Sequence, residues 1–191
     1  MKKFSIAMLS MVLAGSMLLT GCGAKTEEAP WQTAYRETGK YLQEQDTLSA
    51  GSVDGEWAVI GLSRAGLLSD ETAQSYEQTV EDYVKQAGSV RLHHAKSTEN
   101  SRTILGLTAA GYNAANMAGV DLTAGLTDMA YLRAQGTNGP IWALIALDCH
   151  GYDIPQCADG EEQTTREGLV AEILSYQCSD GGWALMGDES D

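Results

Sequence analysis

Apolar residues follow two registers along this chain. Short, nearly unbroken apolar blocks alternate with longer stretches in which apolar residues stand three or four positions apart. Three short blocks align without gaps: Trp57-Ala-Val-Ile-Gly-Leu-Ser-Arg-Ala-Gly66, Arg102-Thr-Ile-Leu-Gly-Leu-Thr-Ala-Ala-Gly111 and Trp142-Ala-Leu-Ile-Ala-Leu-Asp-Cys-His-Gly151. The fourth position is Ile60, Leu105 or Ile145, the sixth is always Leu, and the tenth is always Gly. The units are offset by 45 and 40 residues, a period that marks a repeat architecture. The blocks predict helices near 56–65, 101–110 and 141–150. Gly66, Gly111 and Gly151 then close those helices in the left-handed conformation that glycine adopts without a Cβ penalty. Glycine inside a helix costs about 1 kcal/mol against alanine, so the small fifth residues, Gly61, Gly106 and Ala146, are expected to admit a neighbouring helix.

The stretches between the blocks predict longer, more polar helices. Ser69 or Asp70 caps one running to about Gln86, with Tyr76, Val80 and Tyr83 at helical spacing. Asp121 caps a second to about Gln135, and Thr164 with Glu167 forms a capping box for a third ending at Gln177. Trp31 to Gln45 is a further candidate, with Trp31, Tyr35 and Leu42 on one side. Alternation of a polar-faced with a small apolar helix predicts an all-α chain of stacked hairpins, each burying its face against its neighbours.

Composition narrows the function. With 12 Lys and Arg against 26 Asp and Glu, the net charge is −14. No basic stripe is present, which argues against nucleic acid as partner. Only 3 prolines interrupt the chain, consistent with helices, whereas 21 glycines call for many corners or close contacts.

The first residues change the setting. Met1-Lys2-Lys3 is a short basic start, and Phe4 to Thr20 is apolar or small throughout. That stretch suits the hydrophobic part of an export signal better than a membrane span, which needs about 20 residues. It ends Leu19-Thr20-Gly21-Cys22, which resembles the bacterial lipobox. The resemblance implies a lipoprotein signal over residues 1–21 and a diacylglyceryl group on Cys22. Residues 22–30 then form a polar tether, and residues 31–191 the repeat domain. Cleavage would leave 10 basic against 26 acidic side chains, a net of −16. Such a chain is repelled by anionic head groups, so its membrane partner is held by acyl chains, each buried CH₂ contributing about 0.8 kcal/mol. The domain is therefore expected on the extracytoplasmic side of a cell membrane.

Three further cysteines, Cys149, Cys157 and Cys178, leave two readings open outside the cytosol: a Cys149–Cys157 disulfide, the pair nearest in sequence, or free buried thiols. A zinc site from these three and His150 lacks a C-x-x-C pair, and no metal or cofactor is expected.

The joints between helices carry a second recurring pattern. Gln177-Cys-Ser-Asp-Gly181-Gly-Trp183 reads Q-x-x-x-G-x-W, and Gln135-Gly-Thr-Asn-Gly139-Pro-Ile-Trp142 is the same with one residue added. An amide, a turn glycine and an indole in that order can clip one helix end to the start of the next, the amide meeting orphan backbone groups. With the repeat behind it, the Gln177–Trp183 joint resembles the QW motif of squalene and hopene cyclases. The run Asn138 to Asp148 is similar to prenyltransferase/squalene-oxidase repeats. The resemblance covers roughly residues 50–191 and implies an α/α toroid, here an incomplete open arc of about three and a half hairpins, read as a truncated ring. That superfamily includes terpenoid cyclases, protein prenyltransferases and cobalamin carriers.

The chemistry of those enzymes does not transfer to matching residues. No D-x-D-D acid cluster occurs, and Asp159-Gly-Glu161-Glu162 falls in a stretch expected to be a solvated loop. Zinc ligands at prenyltransferase spacing and a pyrophosphate-binding cluster of Lys and Arg are also missing. The same repeat position is filled by Ser63, Thr108 and Asp148, which are candidates to line a cavity. Trp57, Trp142 and Trp183 are expected as core plugs. The reading is a non-catalytic domain that binds a small molecule or protein. Two alternatives are a terpenoid-type enzyme whose catalytic residues lie beyond Asp191 and a cobalamin-type carrier.

Overall fold

The computed structural model describes residues 29–45 and 48–186. The leader, Cys22 and most of the tether lie outside the described residues. The chain divides into two compact units, residues 1–37 and 38–191. Seven α-helices form among the described residues: α1 Pro30–Gln43, α2 Val53–Arg64, α3 Asp70–Ala87, α4 Thr98–Ala109, α5 Met129–Arg133, α6 Asn138–Asp148 and α7 Arg166–Ser175. Two short 3₁₀ turns, Ala114–Asn116 and Leu122–Leu126, lie between α4 and α5. No strand forms among the described residues, only isolated bridges such as Gln177 with Trp183. The protein is all-α.

The three aligned blocks become α2, α4 and α6. Helix α4 packs against α2 on one side and α6 on the other, and α6 packs in turn against α7. Leu62, Leu107 and Leu147, the shared sixth residues, are all buried. Their carbonyls accept hydrogen bonds from the amides of Leu67, Tyr112 and Tyr152, at 2.9, 2.9 and 2.8 Å. Gly66, Gly111 and Gly151 make these closures possible at φ +66°, +88° and +65°. One leucine thus fills the core and anchors the helix end, and the same bond is made three times.

The small fifth position behaves differently in each unit. Gly106 is buried, and a Cβ there would collide with the Tyr76 hydroxyl. Ala146 is fully buried. Gly61, by contrast, is exposed and a Cβ would meet nothing within 4 Å, so the expected close approach is absent at α2.

The polar helices differ more from expectation. Ser69 caps α3, its side chain accepting from Thr72 N, and the helix runs to Ala87. The helix expected over 121–135 is broken into a 3₁₀ turn and α5. Asp121 and Asp128 each turn their carboxylates onto a backbone amide two residues ahead, at 2.9 and 3.1 Å, restarting the chain twice. Residues 127–129 then pair with 162–164 instead of continuing the helix. At α7 the cap is Thr165, whose hydroxyl accepts from Gly168 N at 2.9 Å. Thr164 is buried with its hydroxyl unpartnered among the described residues, and the helix stops at Ser175.

Arginines tie the acidic surface together. Arg91 bridges Asp128 and Glu161 at 3.0 and 2.6 Å, and Arg133 bridges Glu162 and Glu172 at 3.0 and 2.8 Å. Glu161 and Glu162, expected in a solvated loop, therefore fasten that loop to the rest of the domain.

Glycine substitutions separate conformation from packing. Gly111→Ala, held at positive φ with open space around it, is expected to lower unfolding free energy by about 1–2 kcal/mol. Gly61→Ala, in an exposed helix interior, is expected to raise it by about 0.5–1 kcal/mol. Urea denaturation of both variants reads the two signs.

Candidate functional site

Repeat positions one, four, seven and eight of the short helices turn away from the buried leucines. Trp57, Ile60, Ser63 and Arg64 of α2, Leu105, Thr108 and Ala109 of α4, and Trp142, Ile145 and Cys149 at α6 line one groove of about 410 Å³. It lies across the helix row, its floor made by α4 and its walls by α2 and α6. The Trp57 and Trp142 rings meet edge to face over this groove, with centroids 5.4 Å apart and planes at 61°. These indoles are not core plugs: Trp57 is 40% exposed and Trp142 half-buried.

The polar groups of the groove are engaged. Ser63 donates to Ala109 O at 2.6 Å, joining α2 to the end of α4. Thr108 and the Tyr152 hydroxyl share a hydrogen bond of 2.8 Å. The equivalent Asp148 does not line the groove. It is exposed and accepts from Arg166 Nε at 2.7 Å, joining the end of α6 to the start of α7. One repeat position therefore supplies three successive links between units. Cys149 packs at the groove edge with its thiol toward Ala146 O, and burial pushes its pKa up, so it remains a thiol at neutral pH.

Above position one of α4 stands an ionic cluster that sequence reasoning did not single out. Glu56 is fully buried, accepting from Gly51 N at 2.6 Å and from Arg102 Nε at 3.3 Å. Arg102 also donates to Glu99 at 2.6 Å. The buried Tyr76 hydroxyl beside Gly106 has no hydrogen-bond partner among the described residues. Burial raises the Glu56 pKa, against the lowering by Gly51 N and Arg102. The one legible sign was Arg102 standing where the other two units carry Trp.

The Q–W joints are used in two ways. Gln135 reaches back to α4: its Oε1 accepts from Thr98 N at 2.9 Å and Ser97 Oγ at 3.1 Å, capping a helix whose own Ser97 makes no side-chain cap. Gly139 abuts Leu132 O, where a side chain would collide. Gln177 is exposed and forms a backbone bridge with Trp183. The Trp183 indole, half-exposed, donates to Ile173 O at 3.0 Å across a turn in which Gly181 has φ +92°. Gln135 acts as the clip between neighbouring units, and Gln177 closes only its own corner.

Cys149, Cys157 and Cys178 stand as unbonded, half-buried thiols in the structure. Among the described residues no three His, Cys, Asp or Glu side chains come together as metal ligands. No helix of the described residues is long and apolar enough to cross a membrane. No protein-family model, curated protein or solved structure matches the chain.

The Glu56 cluster makes a pH prediction. A carboxyl whose folded pKa is raised adds stability below its unfolded pKa of about 4.3 and loses it as pH rises through the folded value. Wild type is therefore expected to exceed Glu56→Gln in stability by more at pH 4 than at pH 7. Denaturant titrations at the two pH values check the sign.

Proposed function

We propose that this is a lipid-anchored extracytoplasmic protein whose helical domain binds a ligand or partner in the α2–α4–α6 groove and performs no chemistry there. On this reading the helix row is part of an α/α toroid of the prenyltransferase/squalene-oxidase kind. The indole-walled groove carries the proposal. Two tryptophans and three aliphatic side chains converge on it from non-adjacent parts of the sequence, the composition of a recognition cleft.

The state of its polar atoms supports binding over catalysis. Ser63 and Thr108 spend their hydroxyls on structural links. The Cys149 pKa moves in the direction opposite to that of an activated nucleophile. Arg64 adds positive charge to a lining of mostly aromatic and aliphatic side chains, so an apolar ligand with an anionic end suits it best. The anchor reading is supported by Leu19-Thr20-Gly21-Cys22 after a basic, then apolar, start.

Two measurements test the two halves. Metabolic labelling with a radioactive fatty acid is expected to mark the wild-type protein and to be lost in Cys22→Ala. Labelling that persists in the variant refutes the anchor. For the groove, anilinonaphthalene sulfonate serves as an apolar anionic probe. Ile145→Glu is expected to weaken its binding at least tenfold, about 1.4 kcal/mol. Leu174→Glu, at an exposed site away from the groove, is expected to leave it unchanged. Equal affinities in wild type and Ile145→Glu refute the site.

A further inference from the structure

Of the five arginines in residues 38–191, four are held by carboxylates: Arg91, Arg102, Arg133 and Arg166. The guanidinium of Arg64 makes no hydrogen bond or ion pair among the described residues. In a chain of net charge −14, an arginine without an acidic partner is the exception. Arg64 stands exposed at the end of α2, on the lining of the α2–α4–α6 groove. Burial pushes the Cys149 thiol pKa up and Arg64 pulls against it, so the charge reaches across the groove to the end of α6.

The opposite end of the groove is aromatic. Trp57 lies seven residues before Arg64 on the same helix, so the two share a face about 10 Å apart along its axis. There the Trp57 and Trp142 rings meet edge to face. Ile60, Leu105 and Ile145 line the groove between. The groove therefore has a direction, from one unpaired cation, along aliphatic side chains, to an indole pair.

We infer that this groove takes a straight-chain monocarboxylate of about eight carbons, its carboxylate on Arg64 and its tail against the two indoles. The inference rests on the binding reading proposed above and names the ligand. An extended alkyl chain advances about 1.3 Å per carbon, the projection of a C–C bond of about 1.5 Å, so such a chain spans the groove from end to end. A guanidinium fork matches the two oxygens of one carboxylate. A doubly charged phosphate fits less well, because the lining holds no second cation and Asp148 is close enough to act on Cys149. The helix ends beside Arg64 offer little opposition to an anion. The Leu62, Leu107 and Leu147 carbonyls there already accept from the amides that follow the turns.

The test is calorimetric titration of the full-length protein in lipid nanodiscs, set against empty discs to remove uptake by lipid. Octanoate is expected to bind about threefold or more tighter than 1-octanol, the scale of one exposed ion pair. That preference is expected to vanish in Arg64→Gln, and Arg64→Glu is expected to prefer octylammonium to octanoate. Neither substitution removes a contact of the fold, and circular dichroism checks that the helices remain. From butanoate to octanoate each methylene is expected to tighten binding about fourfold, and longer chains to add less. Octanol matching octanoate, or a preference that survives Arg64→Gln, overturns the inference and leaves the groove reading standing. Octyl phosphate binding as tightly as octanoate overturns the carboxylate assignment, and a fourfold gain continuing to dodecanoate overturns the length. Absence of octanoate binding, or binding unchanged in Ile145→Glu, also overturns the inference. The groove reading falls with it only if anilinonaphthalene sulfonate binding is unchanged in Ile145→Glu as well.

Discussion

A single backbone hydrogen bond, made three times, sets the geometry of this domain. Each short helix ends where the residue after a left-handed glycine returns its amide to a leucine carbonyl five positions back. The bond fixes the direction in which the chain leaves the helix. The leucine that accepts it is buried, so closure and core formation are the same event. Because α2, α4 and α6 share this end, they pack in a row with the same faces in and the same faces out. The groove follows from that row: repeat positions four and eight of all three helices, and position one of α2 and α6, line it.

Links between units use side chains rather than main chain. Ser63, Thr108 and Asp148 occupy one repeat position, and each bonds to the unit that follows. Gln135 bonds backward and caps α4. These contacts tie successive units together with few charged groups. Arginine supplies the rest, since its planar fork can meet two carboxylates at once. Arg91, Arg102 and Arg133 each do so, and between them engage six of the chain's 26 acidic side chains. At Arg102 the same strategy brings Glu56 fully inside, where the carboxylate depends on two donors for its solvation.

The repeat made much of the fold legible. Leu62, Leu107 and Leu147 with their glycines mark helix ends from sequence alone, because only glycine tolerates the turn at no cost and only a fixed spacing delivers it. The break at 121–135 was not legible, since Asp121 and Asp128 look like ordinary cap and helix residues until pairing with 162–164 is known. Gly61 misled for a related reason. The alignment equates it with Gly106, but Tyr76 of α3 lies over α4 and nothing lies over Gly61. Repetition in sequence reports the helix, while its surroundings differ from one unit to the next.

The groove was half legible on the same grounds. Ser63 and Thr108 were singled out because polar residues at an otherwise apolar position invite a question. Ile60, Leu105 and Ile145 were not, because an aliphatic residue in an aliphatic block carries no sign of which way it faces. That information lies in the angular offset from the buried leucine: two positions before it is about 200° away, and three positions after position one is about 60° from it. Positions one, four and eight therefore form a stripe opposite the core, and in a helix row a stripe of Trp and Ile becomes a cleft only when a neighbour supplies the other wall. Trp57 and Trp142 meet across α4, where the middle unit has Arg102 in place of a third indole. The arginine folds toward Glu56 and Glu99 and takes no part in the contact between the two rings.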